Sequence, residues 1–246
     1  MIHGLDMLFH HAAADGLEFV FSRGQALCYP MHTHAGTCTI TVVRRGVVVV
    51  EKQGGCLTHH PGTIYVDAPD EPHAPSYGDS FDIASLCLNA ANLAGRPLAS
   101  VVDSCSGYMN VLISRGLLEP CHAGLLLGAL EKARSACQAR AAATASRERL
   151  FDDAWRTEVD RICPRSVSPF HFIRLFREQP GLTPHRYLAQ HRIRLAQKLL
   201  RESDKLTETA RAARFCDQSH LNRWFSRLIG ISPAAYQKAC HILDLG

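Results

Sequence analysis

The sequence predicts an α+β protein of two domains, a β-barrel or sandwich followed by an all-α domain. Three observations carry this prediction. From about Gly16 to Leu88, β-branched and aromatic runs alternate with turns rich in Gly and Pro. After Asn89 the apolar residues recur at helical spacing instead. Between Ser168 and Tyr236 one helical pattern occurs twice. A chain of 246 residues is long enough for one large domain or two smaller ones.

In chain order, CTITVVRRGVVVVEKQGG reads as two strands that turn near Arg44–Gly46 and close at Gly54–Gly55. GTIYVDAP and FDIASLCLN read as further short strands, and many short strands with turn residues between them suit a small barrel or sandwich. In EPCHAGLLLGALEKARSACQARAAA, the residues Leu126, Leu130, Ala133 and Cys137 line one helical stripe. That stripe fits a helix packed on the barrel and a dimerisation helix equally well, because it shows burial without naming the partner. ARAAATASRER reads as a helical or flexible linker. The domain boundaries expected are 1–120, a helix and linker over 121–149, and 150–246.

Composition narrows the class of protein. The ten cysteines are scattered and never form C-x-x-C, a spacing that does not support a zinc ribbon and suits mostly small buried hydrophobes in a reducing compartment. No apolar run of about 18 residues occurs, so no membrane span is expected. MIHGLDMLFHHAAADG lacks the basic start and apolar run of a signal peptide, and a cytoplasmic location is the expectation. The net charge of +4 is unevenly divided, −2 over residues 1–149 and +6 over 150–246. A basic C-terminal part beside a mildly acidic remainder points to a polyanion partner.

The repeat aligns SPFHFIRLFREQPGLTPHRY, Ser168–Tyr187, with DQSHLNRWFSRLIGISPAAY, Asp217–Tyr236. His171 meets His220, Arg174 meets Arg223 and Phe176 meets Phe225. Gly181, Pro184 and Tyr187 meet Gly230, Pro233 and Tyr236. Each copy opens on an N-cap residue, Ser168 or Asp217, ends at a glycine suited to a C-cap, and restarts at a proline. Between the copies PHRYLAQHRIRLAQKLLRES reads as one long helix of about 25–30 Å. Such a rod suits two recognition helices about 34 Å apart, the spacing of successive major-groove faces.

These segments resemble the C-terminal domain of the AraC/XylS family of bacterial transcription regulators. The likeness is carried by FHFIRLFRE-x-x-GLTPHRYL, RIRLAQKLLRESD and ARFCDQSHLNRWFSRLIGISPAAY. It implies two helix-turn-helix units on one long helix, double-stranded DNA as partner, contact with RNA polymerase, and action as a transcription regulator or activator. Two departures stand out. Arg214 occupies a position where the family usually has Gly, which calls for a non-glycine residue in left-handed conformation. Pro164 falls where the helix supporting the first unit should run.

Within the two recognition helices Phe172, Leu175, Phe176, Leu221, Trp224 and Phe225 are expected to pack inward. The first would then offer Pro169, Phe170, Ile173 and Arg174 to DNA, the second Gln218, Ser219, Asn222 and Arg223. Gln and Asn pair bidentately with adenine and Arg with guanine, so the second unit should supply more of the hydrogen-bonded readout.

The β-rich half resembles the cupin-like sensor domain of the same family on PMHTH at Pro30–His34, Gly46, and HPGTIYVDAPDEPH at His60–His73. The resemblance places His32, His34 and His73 at the histidines of metal-binding cupins and Cys38 at the position of their Glu. Three imidazoles and a thiolate suit zinc, nickel, cobalt or copper. In a straight strand Cys38 lies about 13 Å from His34, so sharing one ion requires a curl or bulge near Gly36. The same residues fit an organic effector hydrogen-bonded at the barrel rim. The leading reading is therefore an effector-controlled transcription regulator, with no enzymatic activity and with a homodimer as one arrangement. The alternatives are a cupin metalloenzyme such as a dioxygenase, and a constitutive DNA-binding protein whose barrel serves only to dimerise.

Overall fold

The computed structural model describes residues 5–12, 15–34, 36–148, 168–178, 182–202 and 205–243. The N-terminal half forms two facing sheets. One runs in the order β10 (Cys240–Ile242), β1 (Asp6–Ala12), β2 (Leu17–Gly24), β9 (Phe81–Asn89), β4 (Thr37–Arg45), β7 (Ile64–Asp67). The other runs β3 (Leu27–Cys28), β8 (His73–Tyr77), β5 (Val48–Lys52), β6 (Gly55–His59). Between them lies a core of Val43, Tyr65, Phe81 and Ile83 from the first sheet against Leu27, Val48, Val50 and Tyr77 from the second.

The sheets stay open at their edges, so the barrel expected from the sequence is corrected to a two-sheet arrangement. The reason lies at Gly46. The segment read as one hairpin places β4 and β5 in different sheets, and β5 pairs with β6 and β8 instead. Gly46 has φ 83°, and a Cβ there would collide with the Ser80 carbonyl. Only glycine lets the chain cross at that point.

The period of two along β4 decides what each of its faces does. Cys38, Ile40 and Val42 turn outward into a core shared with four helices. These are α1 (Ala90–Gly95), α2 (Leu98–Ser114), α3 (Pro120–Gly128) and α4 (Leu130–Glu148). The apolar stripe Leu126, Leu130, Ala133 and Cys137 is buried in this core, so it serves packing on the chain's own sheet. The single helix expected there is broken at Ala129, whose N–H turns back onto the carbonyls of Leu125 and Leu126. The part of the expected linker within the described residues continues α4 as helix.

The remaining helices are α5 (Pro169–Glu178), α6 (Pro184–Glu202), α7 (Leu206–Ala212), α8 (Gln218–Ile229) and α9 (Pro233–Ala239). The repeat is visible as α5 with the start of α6 and α8 with α9. In the second copy the Asp217 side chain accepts from the His220 N–H at 2.6 Å and closes the N-terminus of α8. Gly230 ends it in left-handed conformation, and Ser232 caps α9 just before Pro233. Pro164 and Gly181 lie outside the described residues. A core of Ile193, Ala196, Leu200, Leu221, Phe225 and Tyr236 joins these helices, and Phe9 of β1 belongs to it.

The sequence reading did not foresee β10. After α9 the chain pairs in parallel with β1, Phe9 opposite Cys240 and His11 opposite Ile242. The helical domain is thus stitched into the first sheet by backbone hydrogen bonds. Among the described residues no helix is long and apolar enough to cross a membrane.

Arg214 sits at φ 59°, as its departure from the glycine pattern requires. An L-residue pays about 1–2 kcal/mol for this conformation, partly offset in a Gly variant by the entropy of the unfolded chain. Arg214→Gly is therefore expected to raise stability by roughly 0.5–1 kcal/mol, read as a higher midpoint of urea unfolding.

Candidate functional site at the domain junction

A cavity of about 310 Å³ opens between the six-stranded sheet and the helical domain. Its floor is the inner face of β2, β4 and β9, which alternation furnishes with Glu18, Ser22, Thr37, Thr39, Thr41 and Ser85. Thr41 and Ser85 hydroxyls pair across the strands at 2.8 Å. His32, His34 and His73 stand together at one end.

The histidines come from two distant motifs locked by backbone pairing. His32 and His73 exchange N–H···O bonds, both at 2.9 Å, and the Asp70 N–H donates to the His34 carbonyl at 3.1 Å. The ring pairs lie 4.4–5.1 Å apart between centroids, and the three ring nitrogens nearest one another fall within 4.8 Å. His32 Nδ1 lies 2.8 Å from the Pro30 carbonyl and His73 Nδ1 2.8 Å from that of Glu71. Since a carbonyl only accepts, both Nδ1 atoms carry a proton, and both Nε2 atoms face away from these carbonyls. Burial, reinforced by the neighbouring His73, pushes the His32 pKa down to about 3. Burial holds His34 well below the ordinary value for the same chief reason. Beside them Asp67 is anchored by Lys52 at 3.0 Å and lies 3.7 Å from His73 Nε2.

Cys38 does not join this group. It points to the opposite face of β4, with its thiol 3.9 Å from the Ala133 carbonyl in α4 and against Cys137. The proposed curl at Gly36 does not carry it across: the pairing of β4 with β9 is regular from Thr37 to Val43 and shifts only between Val43 and Arg45. Of the four residues grouped from the sequence, the structure brings together His32, His34 and His73 and leaves Cys38 out.

The sequence reading missed the opposite wall. Arg194, Gln197 and Arg201 of α6 line the cavity, and Gln190 precedes them on the same face. Gln190 Oε1 accepts from the Thr33 N–H at 3.2 Å and from its hydroxyl at 3.1 Å, while Arg194 donates to the Thr33 carbonyl at 2.9 Å. Residues 190, 194, 197 and 201 recur at helical spacing, a polar stripe that sequence alone displays but cannot aim at a partner. Tyr29, also lining the cavity, donates to the carbonyl of Ile229 at the end of α8 at 3.0 Å.

The residues expected at DNA sit away from the cavity. Gln218, Ser219, Asn222 and Arg223 are all exposed on α8, while Leu221 and Phe225 are fully buried and Trp224 half-buried. On α5, Phe170 is 85% exposed, Ile173 and Arg174 are exposed, and Phe176 stacks edge-on against Tyr187. The side chains of Pro169, Phe172 and Leu175 lie outside the described residues.

The molecule is therefore a two-domain protein in which an open two-sheet domain and a helical domain together line this cavity. Residues 166–239 match the family described as helix-turn-helix domain. LumQ of Photobacterium leiognathi, named a probable transcriptional regulator, is 42% identical over 67 residues, which are 27% of this chain and 27% of that protein. The crystal structure of ToxT from Vibrio cholerae O395 aligns with 91% of this chain and 98% of that one at 10% identity and a TM-score of 0.50, a likeness of fold. A Cupin_2 domain of an XRE family transcriptional regulator from Enterobacter cloacae covers 35% of this chain and 97% of its own at 17% identity and a TM-score of 0.31. These matches show a helix-turn-helix domain over residues 166–239. The chain spans less than a third of the length of the curated relatives it matches.

Glu18 brings a titratable group into the cavity. Burial raises its pKa to about 7 against an opposing pull from Arg201, and His11, 3.5 Å away, is pushed down to about 3, again chiefly by burial. The folded chain keeps the Glu18 proton to about pH 7, whereas the ordinary value is 4.5. Stability from Glu18 is thus complete below about 4.5 and lost as pH rises through 7; His11 has the opposite slope, its stability lost as pH falls from 6.5 towards 3. Replacing Glu18 by Gln removes only the first. The stability of Glu18→Gln relative to the native chain should increase between about pH 5 and pH 8, measured by urea unfolding at each pH. A difference that does not change with pH contradicts this assignment.

Proposed function

We propose that this protein is a DNA-binding transcription regulator whose DNA-binding domain, over residues 150–246, is controlled by a small effector in the junction cavity. The observation that carries the reading is the shared wall: one cavity is lined by the sensor histidines and by α6, the helix between the two helix-turn-helix units. A ligand that fits one relative position of the domains better than another shifts that position, and with it the separation of α5 and α8 on DNA. The same wall favours a regulator over a metalloenzyme or a barrel used only for dimerisation, because neither needs its pocket roofed by a DNA-binding helix.

The effector is polar. Hydroxyls of the cavity floor, neutral imidazoles and two arginines of α6 offer donors and acceptors around its whole girth. Zinc, nickel, cobalt or copper also fits the donor set, since two Nε2 atoms are oriented as ligands by carbonyls behind them, as supporting hydrogen bonds do in metal sites. His32, His34 and His73 would then hold the ion, which would supply a Lewis-acid anchor for an effector oxygen. Cys38 has no part in it.

On DNA, Gln218, Ser219, Asn222 and Arg223 form the reading face of the second unit, with Phe170, Ile173 and Arg174 on the first. Phe170 and Ile173 offer apolar contact to thymine methyls, Arg174 a phosphate or guanine contact. With a site selected from random DNA, Arg223→Ala should weaken binding by about 1–3 kcal/mol and relax base preference at one position. Affinity of the native chain should fall steeply with salt as counterions are released. Unchanged affinity in Arg223→Ala, or affinity indifferent to salt, would overturn the placement of α8 in the groove.

A further inference from the structure

A second group of metal-binding side chains lies at the start of α3, on the helical side of the six-stranded sheet and apart from the histidine cluster. Glu119 is the residue that precedes the helix, Pro120 occupies its first turn, and Cys121 and His122 follow. Their donor atoms converge. Glu119 Oε2 lies 3.6 Å from Cys121 Sγ and 3.4 Å from His122 Nδ1, and all three donors fall within 4.8 Å of one another.

These separations have a chemical meaning. Around a tetrahedral zinc ion, with bonds of about 2.3 Å to sulfur and about 2.0–2.1 Å to nitrogen and oxygen, an S···O edge spans about 3.5 Å and an N···O edge about 3.3 Å. The Glu119 carboxylate already stands at those edges from the thiol and the imidazole, without an ion to draw them in. The His122 side chain is 12% exposed, and its shielded Nδ1 has the Glu119 carboxylate 3.4 Å away as its contact. A metal ion between the two would replace this long contact by two ligand bonds.

We propose that Glu119, Cys121 and His122 form a mononuclear site for a divalent transition ion of borderline softness, with zinc as the best match. Sulfur, nitrogen and oxygen donors together select this class over calcium or magnesium, which take oxygen alone. The positive end of the α3 dipole opposes a cation, and the carboxylate and thiolate offset it. Three protein ligands leave a fourth position for water. Because α3 buries Ala123 and Leu126 in the core behind the sheet, the ion would tie the first turn of that helix in place. This site is independent of the reading of the junction cavity.

The test uses the full chain, reduced and without a polyhistidine tag, titrated with cobalt(II). A thiolate ligand gives an intense charge-transfer absorption in the near ultraviolet that imidazoles alone do not. The band should grow to one equivalent and vanish when zinc displaces the cobalt. Cys121→Ser, at an exposed position, should abolish it, and His122→Gln should weaken cobalt binding by more than about a hundredfold, beyond the loss of a mere supporting contact. If His122→Gln does not fold, Glu119→Gln serves in its place with the same expectation. The double variant His32→Gln/His34→Gln should keep the band, so failure of the junction reading is seen separately. Absence of the band, its survival in Cys121→Ser, or its loss in the double variant would each overturn the proposal.

Discussion

The arrangement turns on one residue, Thr33, and on how its backbone is satisfied. His32 pairs with His73 in an antiparallel bridge, but among the described residues Thr33 has no strand neighbour for its own N–H and carbonyl. Both are taken up by α6: Gln190 accepts from the N–H and the hydroxyl, Arg194 donates to the carbonyl. Thr33 is 4% and Gln190 6% exposed, so water cannot substitute without the junction opening. Leaving either buried backbone group unpaired costs about 1–3 kcal/mol. The histidines on either side of Thr33 are thus held in place by the helical domain through α6.

Two further ties act in the same direction. Tyr29 reaches the carbonyl end of α8. Gly230, which must be left-handed to end that helix, also lies so near Tyr29 and Leu5 that a Cβ would clash with both. The glycine that the repeat places at a helix end therefore serves a second purpose, close approach of α8 to the sheet domain. With β10 joined to β1, the junction is continuous from the chain's C-terminal strand to the mouth of the cavity.

The repeat made the helical domain legible because both copies keep their caps, glycines and core aromatics in register; Asp217, Gly230, Ser232 and Pro233 perform in the structure the local roles their types predict. Arg214 was legible as a strained position because the family it resembles usually has Gly there. In the sheet domain the strands could be read from β-branched runs, but their partners could not. Nothing in TVVRRGVVVV distinguishes a hairpin from a crossing between sheets; the wedge of Gly46 against Ser80 does. Cys38 shows the same limit more sharply. Its residue type suited a metal, yet strand alternation with Thr37, Thr39 and Thr41 facing the cavity sends it into the opposite core. The wall of α6 went unread because a polar helical stripe looks the same whether it faces solvent or another domain.

The central claim is that the two domains share one energetic unit through Thr33, and it is tested most directly by cutting that link far from the DNA-reading face. The double variant Gln190→Ala/Arg194→Ala changes neither recognition helix. Its affinity for a site selected with the native chain should be measured beside the native affinity at equal salt. The account predicts a change of at least roughly fivefold, the lower end of ordinary coupling between sites, with the fold retained by circular dichroism. Identical affinity in a folded variant would show that the cavity wall and the DNA-binding surface are energetically separate, and would contradict it.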